Sequence, residues 1–279
     1  MVQHAKSNGI TRKRSVVRAF VFRCQAEGRY GFSLTDVEAA TGLSRLAAAA
    51  QLRRMLPAVQ QIGRRVPYYL AVPPEHAARG APPVTWWLDG YMAFLKRPYY
   101  VGLLSAAAVQ GSAHRAVQET QVLTDIPLPT LNIGRLRVRC FTKKTCTLTP
   151  VFQPPGMPAT LQVSTAEATA LDLIRYAPRI GGIERAQEVI AELLPALSAR
   201  RFKMLLGPEI ETAAIQRLGW TFDQLGAHAL AGVAAHRLRA HRLQPVLLET
   251  RRPRTRFAGT MKRDPLWGVL TPASSENYQ

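Results

Sequence analysis

The sequence predicts an α+β fold in two parts. An N-terminal winged helix-turn-helix occupies residues 1–75 and, beyond a linker at 76–90, a larger, mainly helical α+β domain occupies 91–279. Three observations predict it. Between Ser33 and Tyr69 the punctuation reads as two short helices, a tight turn and a basic hairpin. Pro73, Pro74, Pro82 and Pro83, with Gly80 among them, break every pattern in the stretch that follows. From Leu161 onward, apolar residues recur at helical spacing.

Taken in order, Met1 to Ile10 has no periodicity, whereas Val16, Val17, Phe20, Val21 and Cys24 mark one face of a helix over Thr11 to Ala26. Ser33 with Asp36 three residues later is a helix-cap signature. Leu34, Val37 and Ala40 then recur until Thr41-Gly42 ends that helix. Ser44 caps the next helix, which runs through Leu46, four alanines, Gln51, Leu52, Arg53, Arg54 and Met55. Pro57 stops it, because its ring removes an amide donor and clashes with the preceding turn. Val59 to Ile62, Gly63-Arg64-Arg65 and Val66 to Val72 read as strand, basic turn and strand, which makes the wing.

The second helix is thereby the candidate recognition helix. Ser44, Arg45, Gln51, Arg53 and Arg54 are its candidate contacts to bases or phosphates, Arg64 and Arg65 those of the wing, and Arg12, Lys13 and Arg14 those of the chain before the first helix. Residues 1–70 carry 12 Lys and Arg against three acids, Glu27, Asp36 and Glu38. The whole chain has 279 residues, a formal charge of +19 and a pI near 10.8, so double-stranded DNA is the expected partner. The same charge also suits an acidic protein or an anionic membrane, and the same small α+β unit recurs in proteins that bind no nucleic acid.

Other chemistry is not encoded. Walker A, G-x-G-x-x-G, G-x-S-x-G and H-E-x-x-H motifs are absent, so no catalytic role and no cofactor is expected. The three cysteines, Cys24, Cys140 and Cys146, have no metal-ligand spacing, and the six histidines are scattered. No signal peptide and no long apolar run is present, and the expectation is a reduced, soluble, cytoplasmic protein without a membrane partner. A metal-dependent nuclease would need clustered carboxylates. The nearest set, Glu167, Asp172 and Glu184, is spaced as helix caps and surface charges.

In the second part, Trp86, Trp87, Tyr91 and Phe94 precede Pro98, which opens what reads as one strong helix, PYYVGLLSAAAVQGSAH. A strand pair follows at Gln118 to Thr124 and Arg135 to Thr142, then a Ser-x-x-Glu helix start in STAEATALDLI and the phrase AAIQRLGWTFDQLG. This series resembles the AbiEi antitoxins of abortive-infection type IV toxin–antitoxin systems. The likeness is carried by Tyr99-Tyr100, Leu103-Leu104-Ser105-Ala106, Gly111, Glu167, Asp172, Leu173 and Arg217-Leu218-Gly219, with Ala170 where the family more commonly has Leu. The resemblance implies a transcriptional autorepressor, monomeric in solution or dimeric on DNA, that binds inverted repeats in its own promoter. It also implies a cognate nucleotidyltransferase-like toxin that is counteracted without a stable complex.

Toward the C-terminus, Leu171, Ile174, Ile183, Val189, Ile190, Leu193 and Leu194 supply a core-facing stripe, interrupted at Pro178 and Gly181-Gly182. Further helices are expected at 199–206, 208–218 and 221–242, then a strand at 244–248. From His236 to Arg263 nine Lys and Arg face one acid, Glu249. Arg251, Arg252, Arg254 and Arg256 in this run would lie along DNA or meet the toxin. Two rival readings remain at this point: a toxin-neutralising interaction protein whose DNA binding is secondary, and a metal-dependent nuclease fused to a DNA reader.

Overall fold

The computed structural model describes residues 16–63, 65–112, 118–158, 160–207, 211–249 and 261–272 of an α+β chain. The chain forms two compact units. Unit 1 takes residues 1–100, 118–147 and 153–162, and unit 2 takes 101–117, 148–152 and 163–279.

Unit 1 begins with helix α1 (residues 16–26), strand β1 (Gly31–Ser33), helices α2 (Leu34–Thr41) and α3 (Arg45–Arg53), and strands β2 (Val59–Gly63) and β3 (Val66–Ala71). The three strands form an antiparallel sheet in the order β1-β3-β2, with Phe32 opposite Tyr69 and Gln61 opposite Tyr69 on the other side. One core holds this together. Val17, Phe20, Val21 and Cys24 of α1, Val37 of α2 and Ala48 and Leu52 of α3 close on Phe32, Val59 and Tyr69. The expected apolar face of α1 is therefore the face it buries.

The proline-rich stretch after β3 is ordered and packed. Pro74–Arg79 and Val84–Trp86 are 3₁₀ turns, and helix α4 (Leu88–Leu95) follows. Ala81, Val84, Trp87 and Leu88 are buried, and the Trp87 indole N–H donates to the Pro82 carbonyl at 3.2 Å. Tyr68 on β3 packs its ring on Tyr91 and Phe94 of α4. Its hydroxyl fills the space where Gly31 and Gly90 lack a Cβ.

Strand β4 (Tyr99–Val101) runs from the end of the first segment of unit 1 into unit 2 at Val101. Strands β5 (Thr120–Thr124), β6 (Leu131–Ile133) and β7 (Leu136–Thr142) then add a ladder in which β5 and β7 are parallel and β6 and β7 antiparallel. The β6–β7 turn reaches back to the first segment. The Arg135 amide donates to the Arg79 carbonyl at 2.8 Å, and a Cβ on Gly134 would stand 2.2 Å from that oxygen. Only glycine allows so close an approach, and Gly134 also has φ +55°.

The helix expected from Pro98 onward does not start there. Tyr99–Val101 is extended, Gly102 continues extended at φ −135°, and helix α5 runs from Leu103 to Val109. Aromatic and β-branched side chains favour the pleated conformation, and Val101 takes a parallel partner in Val163.

Unit 2 continues with strands β8 (Val151–Phe152) and β9 (Val163–Ser164), paired antiparallel, and helices α6 (Ala166–Arg175), α7 (Ala177–Ile180), α8 (Ile183–Leu193) and α9 (Ala199–Leu206). Then come α10 (Thr212–Gln224), α11 (His228–Leu238) and a small sheet of β10 (Val246–Leu247), β11 (Met261–Arg263) and β12 (Val269–Pro272) in the order β10-β12-β11. Helix α6 is the axis of this unit, buried from Ala166 to Ile174 with α5, α8, α9 and α10 packed around it. Its alanines keep those neighbours close.

Three expectations are corrected here. Thr165, not Ser164, caps α6, its hydroxyl accepting from the Ala168 amide at 3.4 Å. Glu167 and Asp172 are not surface charges. Glu167, 1% exposed, accepts from the Ser198 amide at 2.8 Å and Arg201 Nε at 2.9 Å, so it caps α9. Asp172, fully buried, pairs with Arg175 at 2.6 Å. A buried carboxylate requires such partners. Finally, the break expected after Leu218 is absent, and α10 runs through Gly219 to Gln224. Gly219 is there because the Trp267 ring lies against it, 2.1 Å from where a Cβ would be.

Candidate nucleic-acid interface

The site is built on α3. Helix α2 is locked by a reciprocal cap: the Asp36 amide donates to Ser33 Oγ at 3.1 Å, and the Ser33 amide to Asp36 Oδ2 at 2.8 Å. It ends on Gly42, whose φ of +66° is a left-handed turn conformation that suits glycine. The chain can thus reverse within Gly42–Ser44 and start α3 against α2. Ser44 occupies the N-cap position in extended conformation, yet its side chain makes no capping hydrogen bond.

Burial divides α3 sharply. Ala48 and Leu52 face the core; Arg45, Leu46, Ala50, Arg53 and Arg54 are exposed, and the helix contains no acid. Gln51 turns inward, half-buried, with its Oε1 buried and unpaired. Arg45 carries an ion pair to Glu38 of α2 at 3.4 Å, with 58% and 27% of the two side chains exposed. A pair so exposed contributes little stability, and its effect is to orient the guanidinium at the start of α3. Tyr69 lies behind this face. Burial raises its phenol above the ordinary range while the charges of Arg45 and Arg53 pull it back, so both guanidinium groups stand near the hydroxyl. Ala49, Leu52, Arg53, Leu56, Val59, Gln61 and Tyr69 line a shallow depression between α3 and the sheet.

Around α3, Arg65 is exposed at the β2–β3 end, and Arg18 and Arg23 are exposed on α1, with the Arg18 guanidinium 5.4 Å from the centre of the exposed Phe22 ring. Of the residues expected to contact DNA, the structure thus places Ser44, Arg45, Arg53 and Arg54 together on one helix, with Gln51 on its inner side. Arg12, Lys13, Arg14, Arg64, Arg251, Arg252, Arg254 and Arg256 lie outside the described residues. Sequence reasoning passed over Leu46 and Glu38. A wheel centred on Ala48 and Leu52 would have shown Leu46 pointing away from them.

In unit 2, Arg200, Lys203 and the 70%-exposed Met204 share the outer face of α9, and Arg239 and Arg242 are exposed beyond α11. Arg237 is engaged, donating through Nε to the Leu206 carbonyl at 3.0 Å and meeting His241 Nε2 at 2.5 Å. Among the described residues no group of three or more His, Cys, Asp or Glu side chains could hold a metal ion, and no helix is long and apolar enough to cross a membrane.

Residues 100–223 match the family described as the AbiEi antitoxin C-terminal domain. The residues that carry the likeness are architectural here. Glu167 caps α9, Asp172 holds Arg175, Leu218 is fully buried, Arg217 donates to the Leu247 carbonyl at 2.7 Å, and Gly219 admits Trp267. Comparison with curated proteins yields no match. Among solved structures, the crystal structure of the RV2827C protein from Mycobacterium tuberculosis is similar, with a TM-score of 0.63 over 92% of this chain and 91% of that chain. Sequence identity is 15%, so what is shared is the fold.

Proposed function

We propose, from the match of residues 100–223 to the AbiEi antitoxin C-terminal domain family, that the chain is the antitoxin of a type IV toxin–antitoxin system that represses its own promoter. An antitoxin domain implies a toxin partner. In this reading the toxin is nucleotidyltransferase-like and is counteracted without a stable complex, in the cytoplasm.

The DNA reader is the part of unit 1 from α1 to β3, within residues 1–75. The order helix, strand, helix, helix, strand, strand, with the sheet order β1-β3-β2, supports reading this part as a winged helix-turn-helix. The observation that carries the proposal is the solvent face of α3: Arg45, Leu46, Ala50, Arg53 and Arg54 exposed side by side, with no acid on the helix. A helix start without a carboxylate forgoes favourable dipole pairing, which suits a partner that brings its own anions. Helix α3 enters the major groove of each half-site of an inverted repeat, the wing's Arg64 and Arg65 grip adjacent backbone, and Arg12, Lys13 and Arg14 add phosphate contacts. One monomer per half-site assembles a dimer on DNA, and the occupied promoter excludes polymerase.

The test is binding of the full chain to promoter DNA and to random duplex at matched salt. Arg45→Ala is expected to cost about 1–3 kcal/mol on the operator and much less on random DNA. Equal losses on both would reduce Arg45 to a phosphate contact.

A further inference from the structure

Leu46 is the most exposed large apolar side chain among the described residues, at 85%. One exposed leucine is ordinary on a protein surface. This one has a setting. At about 100° per residue, Leu46, Ala50 and Arg53 line up along α3, opposite the buried Ala48 and Leu52. Ala49 and Ala50 add only methyl groups, so the helix carries an apolar strip with Arg45 at one end and Arg53 and Arg54 at the other. Arg45 and Arg53 are eight residues apart, about 12 Å along the axis, so they stand at the two ends of the strip. In a groove the strip between them would face base edges.

Most of those edges are hydrogen-bonding groups, and covering one with a leucine would leave it unpaired. The apolar group that a natural base pair offers there is the C5-methyl of thymine. We propose that Leu46, seconded by Ala50, reads the 5-methyl group of thymine in each operator half-site. This rests on the reading of α3 as a recognition helix and names the chemistry that it recognises. Arg45 and Arg53 fix the register, and the apolar strip selects a thymine at a defined step between them. The small side chains of Ala49 and Ala50 let the helix axis come close enough for a contact of van der Waals length.

The experiment first selects preferred sites for the full-length protein from random duplexes. Each thymidine of the selected site is then replaced by deoxyuridine, which pairs identically and lacks only the methyl group. In a second arm, cytosines are replaced by 5-methylcytosine. One or two deoxyuridines per half-site are expected to weaken wild-type binding by about three- to tenfold, the scale of one buried methyl group. Leu46→Ala is expected to unfold at the same temperature as wild type and to bind the thymidine and deoxyuridine sites alike, and cytosine methylation is expected to give no gain. Tolerance of deoxyuridine everywhere, or a Leu46→Ala protein that loses as much as wild type, would overturn the assignment. A gain from 5-methylcytosine without loss from deoxyuridine would overturn thymine as the base read. If no sequence is enriched at all, the recognition-helix reading falls and this assignment with it.

Discussion

Gly219 and Gly232 both lie inside helices of unit 2, and in sequence they look alike. Against Gly219 the Trp267 ring stands 2.1 Å from a built Cβ, while around Gly232 nothing lies within 4 Å. Alanine gains about 1 kcal/mol over glycine in a helix interior, and overpacking a filled site costs about 1–3 kcal/mol or more. Gly232→Ala is therefore expected to raise the denaturation midpoint by the equivalent of about 0.5–1 kcal/mol, and Gly219→Ala to lower it; urea unfolding of the two variants checks both signs. Neither sign was legible in the sequence, because Trp267 is 48 positions away from Gly219 (267 − 219) and only the fold brings them together. Cys140 allows a second measurement. Burial pushes its thiol from 9.0 up to about 11. Below pH 9 the thiol is protonated both folded and unfolded; above it the unfolded chain sheds the proton first. The stability that Cys140 contributes is thus expected to fall as pH rises from about 9 toward 11. Thermal unfolding from pH 8 to 10.5 should show a shallower decline in Cys140→Val than in wild type.

At the scale of single elements, local signatures were legible and pairings were not. The cap at Ser33 and the glycine stop at Gly42 were readable because every atom involved lies within ten residues, and α2 forms as they dictate. Tyr99–Val101 was read as helix because its helix-forming sequel is stronger than its own bias; what makes it a strand is Val163, 62 positions on from Val101 (163 − 101). On α3, Arg45, Arg53 and Arg54 are exposed, whereas Gln51, offered by the sequence as a contact to bases or phosphates, is half-buried with its Oε1 buried. The two serines separate stability from recognition. Ser33 makes a reciprocal cap and Ser44 makes none. Ser33→Ala is expected to destabilise the protein by about 1 kcal/mol, the usual cost of a lost N-cap. Ser44→Ala is expected to leave the melting temperature within experimental scatter and to show its effect, if Ser44 meets phosphate, in DNA affinity alone. A comparable loss of stability in both variants would mean that Ser44 caps α3 after all.

For the molecule as a whole, the excess of 19 positive charges makes the salt dependence of the proposed DNA binding a test of which cations meet phosphate. Each phosphate neutralised contributes about 0.9 to the slope of log affinity against log salt. Reversing Arg251, Arg252, Arg254 and Arg256 to Glu is expected to weaken operator binding severely and to flatten that slope by up to about four units. Titration at several salt concentrations reads both. Unchanged operator affinity with loss of toxin neutralisation would assign the run to the protein partner instead. The charge was legible from composition. The division of the chain was not, because it depends on contacts such as Arg79 with Arg135 that no local pattern announces. That division has a consequence for synthesis. Strand β3 ends at Ala71, but unit 1 also contains residues 118–147 and 153–162. At about 5–20 residues per second, translation takes roughly 3–13 s to go from Ala71 to Arg135 in the β6–β7 turn. For that time the segment from α1 to β3 exists on the ribosome without the hairpin turn that Arg79 and Gly80 will close upon, so it is made well before the unit that houses it is complete.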